Sequence, residues 1–170
     1  MTATQIKVLV LCTGNSARSI LGEALFNHLG QGRVRAYSAG SRPSGQVNPV
    51  ALETLEKHGV PLPAEVRSKS WEEFSAPGAP HFDYLFTVCA SAAGETCPVW
   101  LGHPVTAHWG IADPAHVEPI EARRAAFEQA FIALEKRIRA FLALDLAALS
   151  AQEVATAAQL IHVAAQEGEQ

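Results

Sequence analysis

The sequence has few cysteines, no cluster of basic residues and no long apolar run, and each absence excludes a class of protein. Three cysteines among 170 residues are too few for the disulfide framework of a secreted mini-protein. With 13 basic and 17 acidic residues, the chain lacks the basic stripe that nucleic-acid binding requires. No apolar stretch reaches the roughly 20 residues of a membrane-spanning helix. The first predicted strand begins too early for a signal peptide, so we expect a cytoplasmic protein without nucleic-acid or membrane partners.

The most informative segment of the chain is Cys12–Ser19, which reads CTGNSARS. The preceding residues 6–11, IKVLVL, form a continuous apolar run that is typical of a buried parallel strand. The following residues 20–29 have helical spacing. A thiol between a strand end and a helix N-terminus lies where backbone N–H groups and the helix dipole favour negative charge. The sequence therefore predicts a strand, an anion-binding loop and a helix.

The residue types in this loop suit a tetrahedral oxyanion held against a nucleophile. Gly14 and Asn15 tolerate the left-handed backbone that a concave ring of N–H groups needs. The planar fork of Arg18 matches two oxygens of a phosphate-like ligand, and Ser16 or Ser19 can donate a hydrogen bond to the sulfur. Cys12 is the candidate nucleophile, and the candidate oxyanion-binding residues are Thr13, Gly14, Asn15, Ser16, Ala17 and Arg18.

Strands and helices alternate along the rest of the chain. Further strands are predicted over residues 33–38, 82–88 and 105–109, and helices over residues 48–58, 68–74 and 119–142. This order predicts an α/β fold in one domain, residues 1–143, with a four-stranded parallel sheet and helices on both faces.

Two serine-glutamate pairs predict capping boxes, one at Ser70 and Glu73 and one at Ser150 and Glu153. The second pair would begin a C-terminal helix in the extension of residues 144–170. We expect the apolar face of that helix to pack on the domain, and a homodimer contact is the alternative.

Asp113 follows the last predicted strand, so it should lie at the sheet edge where Cys12 also lies. A carboxylic acid at that edge can protonate an oxygen leaving from phosphorus or arsenic. Asp113 is therefore the candidate general acid.

Together these motifs resemble the low-molecular-weight protein tyrosine phosphatase fold family. The pattern C-x5-R-S of Cys12–Ser19 is similar to its phosphate-binding loop, and Asp113-Pro114 is similar to its general-acid loop. H-W-G-x-x-D-P, ending at Pro114, resembles the loop of the arsenate reductases built on this fold. The segment that contains Cys89 and Cys97 resembles the redox segment of those enzymes. The resemblance covers residues 6–140.

The resemblance implies reduction of arsenate to arsenite by a thiol relay, for arsenic detoxification. Cys12 attacks arsenate, Cys89 attacks the Cys12 sulfur, and Cys97 resolves the bridge to a Cys89–Cys97 disulfide. In a regular helix these last two Cα atoms would be about 12 Å apart, whereas a disulfide tolerates about 7 Å. The segment between them must therefore bend, and Gly94 is the expected hinge. The relay needs no cofactor but an external reductant, either thioredoxin or glutathione with glutaredoxin.

The resemblance also bears on metal binding. Thioredoxin-coupled members of this type hold potassium with an acidic residue in the neighbourhood where this chain has Ser68-Lys69, beside Asn15, Glu23 and Ser38. A lysine ammonium can replace the ion, and the seven histidines show no metal-like grouping. We therefore expect no required metal; the alternative is that Lys69 only points to solvent.

Two other functions remain open at this stage. The first is a phosphatase for phosphotyrosine or small phosphoesters, working through a cysteinyl-phosphate, with Cys89 and Cys97 as inert packing residues. The aromatic residues common in family phosphatases after the Asp-Pro pair are replaced by Ala115 and His116, which disfavours phosphotyrosine. The second is a non-catalytic oxyanion-binding or redox-sensing module.

Overall fold

A computed structural model of the chain describes residues 5–62, 66–88 and 104–168. Its strands are β1 (Ile6–Cys12), β2 (Val34–Gly40), β3 (Tyr84–Thr87) and β4 (Val105–His108). They form one parallel sheet in the order β2-β1-β3-β4. Its helices are α1 (Arg18–Gly30), α2 (Pro49–Lys57), α3 (Ile120–Leu142) and α4 (Ala151–Gly168), with a 3-10 helix at Trp71–Phe74. The predicted α/β fold with a four-stranded parallel sheet is confirmed.

The two faces of the sheet are covered unequally. Alternate residues of β1 point to opposite faces, as the pleat requires, and the whole of Val8–Cys12 is buried. Val8, Val10 and Cys12 belong to a large cluster with apolar residues of all four α-helices. Leu9 and Leu11 belong to a smaller cluster that includes Trp71 and Phe74 of the 3-10 helix. Cys12 therefore lies on the face that α1 packs against.

Local signals in the sequence set the ends of α2. The Asn48 side chain accepts a hydrogen bond from the backbone N–H of Val50 at 2.9 Å, and Pro49 is the first helical residue. Gly59 follows the last turn with φ of +68°, the left-handed conformation typical of a helix end.

Helix α4 packs on the domain, as expected from its apolar face. Its buried residues are Val154, Ala158, His162 and Ala165. Ser150 and Glu153 form the predicted capping box, since each backbone N–H donates to the side chain of the other residue. Leu160 and Val163 on the outer side are exposed.

No helix within the described residues is long and apolar enough to cross a membrane.

Candidate active site

The thiol loop, residues 12–19, connects the carboxyl end of β1 to the first turn of α1. Cys12 is 4% exposed and pairs in register with Gly40 of β2. The side chains of Thr13, Ser16 and Arg18 are half-buried, whereas Ser19 is fully buried. The nucleophile is therefore shielded, and alternate residues of the loop remain open to a ligand.

The carbonyl groups of the loop are occupied on its outer side. The backbone N–H groups of Ser41, Arg42, Ser44 and Asn48 donate to the carbonyl oxygens of Cys12, Thr13, Gly14 and Ser16, at 2.8 to 3.3 Å. The N–H and C=O of a trans peptide point in opposite directions. Consequently the N–H groups of these peptides turn away from the neighbouring segment, as a concave anion site requires. No side chain among the described residues caps the N-terminus of α1, so its first N–H groups are also left for a ligand.

Gly40, at the end of β2, lies against this loop. A Cβ atom placed on Gly40 would lie 2.3 Å from the carbonyl oxygen of Thr13 and 3.0 Å from the backbone nitrogen of Asn15. Only glycine permits such a close approach, because any side chain would push the two backbones apart.

Asn15 is the centre of a buried polar network. Its φ is +47° and it is 0% exposed. Its Nδ2 donates to the hydroxyl oxygens of Ser19 and Ser38 at 2.8 and 3.0 Å, and its Oδ1 accepts from the backbone N–H of Lys69 at 2.9 Å. Asparagine is the residue type that best tolerates this left-handed conformation after glycine, and the hydrogen bonds fix it there.

Lys69 and Glu23 complete the network, and the alternative that Lys69 points to solvent is wrong. Lys69 is 7% exposed, and its Nζ lies 2.8 Å from the Arg67 carbonyl oxygen, 3.4 Å from Asn15 Oδ1 and 3.8 Å from Glu23 Oε1. The Ser38 hydroxyl donates to Glu23 at 2.5 Å. Burial raises the pKa of Glu23 and lowers the pKa of Lys69, because both charged forms lose water.

Arg18 joins the thiol loop to the predicted general-acid loop. Its Nη1 donates to the carbonyl oxygen of Ile111 at 2.8 Å, and its Nη2 lies 3.6 Å from Asp113 Oδ2. The Asp113 side chain is 43% exposed, and its Oδ1 accepts from the backbone N–H of Ala115 at 2.9 Å. The structure thus brings Asp113 to the thiol loop, where a leaving oxygen could take its proton.

Two polar atoms beside the loop are buried without a hydrogen-bond partner in the described part of the chain, Arg18 Nε and Ser41 Oγ. A buried donor left unsatisfied costs about 1–3 kcal/mol, which a bound oxyanion would recover. This is an observation in favour of an anion site at Arg18.

Some of the predicted site lies outside the described residues. Cys89, Cys97 and the proposed hinge Gly94 are among them, so the relay stays a prediction. Within the described ranges, no group of three or more His, Cys, Asp or Glu side chains could hold a metal ion.

Sequence reasoning missed two contacts that shape the site. The Ile111 carbonyl accepts from Arg18, and Gly40 approaches the loop backbone. A glycine at the end of a predicted strand could have signalled the second contact, whereas no residue type signals a carbonyl acceptor.

Comparisons with known proteins agree with this geometry. Residues 7–155 match the family model described as low molecular weight phosphotyrosine protein phosphatase. A protein named arsenate reductase from Bacillus licheniformis is 35% identical over 124 residues, which are 72% of this chain and 84% of that protein. The solved structure titled "An arsenate reductase in the phosphate binding state" has 26% identity and a TM-score of 0.61, covering 79% of this chain and 98% of its own.

A further solved structure is that of a thioredoxin-dependent arsenate reductase from Corynebacterium glutamicum. It is 24% identical with a TM-score of 0.54, and the match covers 82% of this chain and 64% of that one. At this identity the likeness concerns the fold.

Proposed function

This chain belongs to the low molecular weight phosphotyrosine protein phosphatase family and, within it, to the arsenate reductases, and from this premise we propose how its residues reduce arsenate. Cys12 is the nucleophile, Arg18 binds the oxyanion, and Asp113 is the general acid. The observation that supports these roles best is the position of Arg18, which reaches both Ile111 and Asp113 from the first turn of α1.

In the first step the Cys12 thiolate attacks arsenic, and an S–As bond forms as one oxygen leaves. The backbone N–H groups of the loop and the guanidinium of Arg18 stabilise the charge on the remaining oxygens. Asp113 donates a proton to the leaving oxygen, which departs as water. The product is a covalent adduct in which arsenic is still pentavalent.

The second step is a reduction, and it requires a second thiol. The Cys89 thiolate attacks the Cys12 sulfur, so an S–S bond forms while the S–As bond breaks. The bonding electron pair stays on arsenic, which leaves as arsenite, and the two sulfurs supply the two electrons. Cys97 then attacks Cys89, forms the Cys89–Cys97 disulfide and returns Cys12 as a thiolate. Ser19 supports that thiolate, since its oxygen already accepts from Asn15 and its own proton remains to be donated.

The walls around the loop favour arsenate over an aryl phosphate. Segment 41–48, whose N–H groups bind the loop carbonyls, contains no aromatic residue, and Ala115 and His116 follow the acid loop. A phosphotyrosine ring would therefore find no phenylalanine, tyrosine or tryptophan on either described segment to stack against.

A single turnover without external reductant tests the proposal. Fully reduced protein is mixed with arsenate, and free thiols and arsenite are counted. Two thiols lost for each arsenite released are expected, and none in Cys12→Ser. Cys97→Ser is the matched variant: it should still release arsenite and stop at a Cys12–Cys89 bridge, which peptide mapping identifies. Unchanged thiols with hydrolysis of an aryl phosphate would instead establish a phosphatase.

Thioredoxin is the electron donor that we propose, because the segment with Cys89 and Cys97 resembles the redox segment of thioredoxin-coupled arsenate reductases. Steady-state turnover should then require thioredoxin and its reductase. Turnover that responds only to glutathione and glutaredoxin would identify the other donor.

Lys69 takes the place of a metal ion in this proposal. Its ammonium lies between Asn15, Glu23 and the Arg67 carbonyl, where it satisfies the same oxygens that would hold a cation. The melting temperature of the protein should therefore be equal in potassium and in sodium chloride at matched ionic strength. A specific gain in potassium would overturn this assignment.

A further inference from the structure

Helix α4 lies mostly beyond the family match, which ends at residue 155, yet it contacts the base of the general-acid loop. We propose that α4 holds this loop in its reactive position, with Gln159 and Trp109 as positioning residues. The inference rests on the proposed role of Asp113, four residues beyond Trp109.

Gln159 binds the open edge of the sheet. Its Nε2 donates to the His108 carbonyl oxygen at 3.3 Å, and its Oε1 accepts from the His108 N–H at 3.4 Å. Within the described residues β4 is the last strand of the sheet, so this side-chain amide bonds backbone groups that a further strand would otherwise bond. His108 is the last residue of β4, so the contact lies where the strand gives way to the acid loop.

The next residue, Trp109, is held from two sides. Its indole Nε1 donates to the Ala158 carbonyl oxygen of α4 at 2.9 Å, and its backbone N–H donates to the Thr87 carbonyl oxygen of β3 at 2.7 Å. The ring is 0% exposed and lies 4.1 Å from the ring of Phe86. The α4 contact therefore acts on a residue that the core already orients.

Two residues further on, Ile111 connects this base to the reacting groups. Its N–H donates to the Val88 carbonyl oxygen at 2.9 Å, and its carbonyl accepts from Arg18. Asp113 follows, 3.6 Å from the same guanidinium. A shift of the loop base would therefore move Asp113 relative to the oxyanion that Arg18 holds from α1, and displacements near 1 Å are enough to slow a reaction by about 100-fold.

The helix that makes these contacts is itself fixed. Val154 and Ala158 are buried in the main cluster, and the buried Arg137 of α3 donates through Nε to His162 Nδ1 at 3.0 Å. Helix α4 is thus fixed to the domain by its packing in the core and by its hydrogen bond to α3.

Gln159→Ala is the first test, and Gln152→Ala is the matched control, because Gln152 is exposed on the same helix and bonds only its neighbour Thr156. In Gln159→Ala we expect single-turnover arsenite release to slow by about 2- to 10-fold, the equivalent of one hydrogen bond, with phosphate affinity and melting temperature retained. Trp109→Phe, which keeps one aromatic ring beside Phe86 but loses the indole N–H and part of the packing, should slow release similarly and lower the melting temperature.

The effect of Gln159→Ala on the rate of arsenite release should vanish when Asp113 is already replaced. In an Asp113→Asn background, Gln159→Ala should change the rate no further, because the acid that it positions is gone. A rate equal to wild type in Gln159→Ala, or an equal loss in the Asp113→Asn background, would overturn the proposal.

Amide hydrogen exchange gives a readout that does not depend on activity. The N–H groups of Trp109 and Ile111 should exchange about 2- to 10-fold faster in Gln159→Ala than in wild type or Gln152→Ala. If the wild-type protein released no arsenite, the catalytic roles proposed for Cys12, Arg18 and Asp113 would be wrong. The exchange rates would still decide whether α4 holds the loop, and equal rates would refute it.

Discussion

The two loops that meet at Arg18 are held by different kinds of contact. The thiol loop is fixed from beneath by Asn15, whose side-chain hydrogen bonds are all buried, and from outside by the N–H groups of segment 41–48. The acid loop is held at its base, where the Ile111 carbonyl accepts from Arg18, but the Asp113 side chain is 43% exposed and meets Arg18 only as an ion pair at 3.6 Å. The thiol loop is therefore in place before a ligand arrives, whereas the Asp113 side chain can adjust to the ligand.

This difference follows the two roles that the loops have in the first step. Stabilisation of an oxyanion is strongest when the donors are already in place and need no reorganisation. A general acid has to approach a leaving oxygen and then let water and product pass, which suits an exposed side chain. Substitutions in the two loops should therefore differ in how they change the reaction rate, the phosphate affinity and the stability of the protein.

The largest effect is expected for Asp113→Asn. Without an acid at this position, arsenite release in a single turnover should fall by about 10²- to 10⁴-fold. Phosphate affinity, measured by calorimetry, should be retained, because the asparagine leaves the thiol loop intact. A parallel loss of phosphate binding would mean that Asp113 builds the anion site instead of supplying a proton.

Arg18→Lys acts on both loops at once. The lysine cannot reproduce the fork that reaches Ile111 and Asp113 together, so the rate should fall by about 10²- to 10³-fold. Unlike Asp113→Asn, this variant should also bind phosphate more weakly. Arg42→Lys, a surface change beside the loop, is the control and should leave both quantities unchanged.

Asn15→Ala tests the buried side of the comparison. It removes hydrogen bonds to Ser19, Ser38 and Lys69 and places alanine at a φ of +47°, so unfolding free energy should fall by about 2–4 kcal/mol. Urea unfolding measures this loss. Asn15→Gly, which tolerates the backbone but lacks the side chain, should recover only part of it. Full recovery would show that the polar network contributes nothing.

Glu23→Gln should have the smallest effect, visible in the pH dependence of stability. Burial raises the folded-state pKa of Glu23 above the usual 4.5, so the folded protein holds this proton more tightly than the unfolded chain does. The resulting stabilisation is complete below the unfolded pKa and is lost as the pH rises through the folded pKa.

Urea unfolding from about pH 4 to pH 8 measures this dependence. The wild type should lose stability with rising pH relative to Glu23→Gln. Identical pH slopes for the two proteins would show that Glu23 keeps its ordinary pKa.

Much of the fold could be predicted because its signals are local. Three such signals each determine the backbone conformation close to them in the chain: the apolar run of β1, the asparagine-proline start of α2 and the capping box at Ser150. The structure confirms all three. The capping box at Ser70 forms only in part, because Ser70 caps the helix as predicted but Glu73 does not complete the box. Ser70 accepts from Glu72, and the Glu73 carboxylate pairs with Arg67 instead, because a four-residue 3-10 helix lacks the geometry of an α-helical first turn.

The sequence predicts which residues form the candidate site but not the distances between them. Motif spacing assigns Cys12, Arg18 and Asp113 to one sheet edge. It cannot show that Gln159 binds His108 51 positions earlier in the chain, because that contact depends on how α4 packs. The sequence likewise predicts Lys69 beside Asn15 and Glu23 only through the family resemblance, since burial of a lysine depends on a partner such as Glu23 elsewhere in the chain.

Because Gly40 approaches Thr13 so closely, the shape of the thiol loop depends on the register in which β1 and β2 pair. Gly40 stands opposite Cys12 only when β2 and β1 pair in the observed register. A slip by one position would bring the Cβ of Ala39 or Ser41 against the loop and force its N–H ring open. Turnover therefore reports on the register of an outer strand that carries none of the proposed reacting groups.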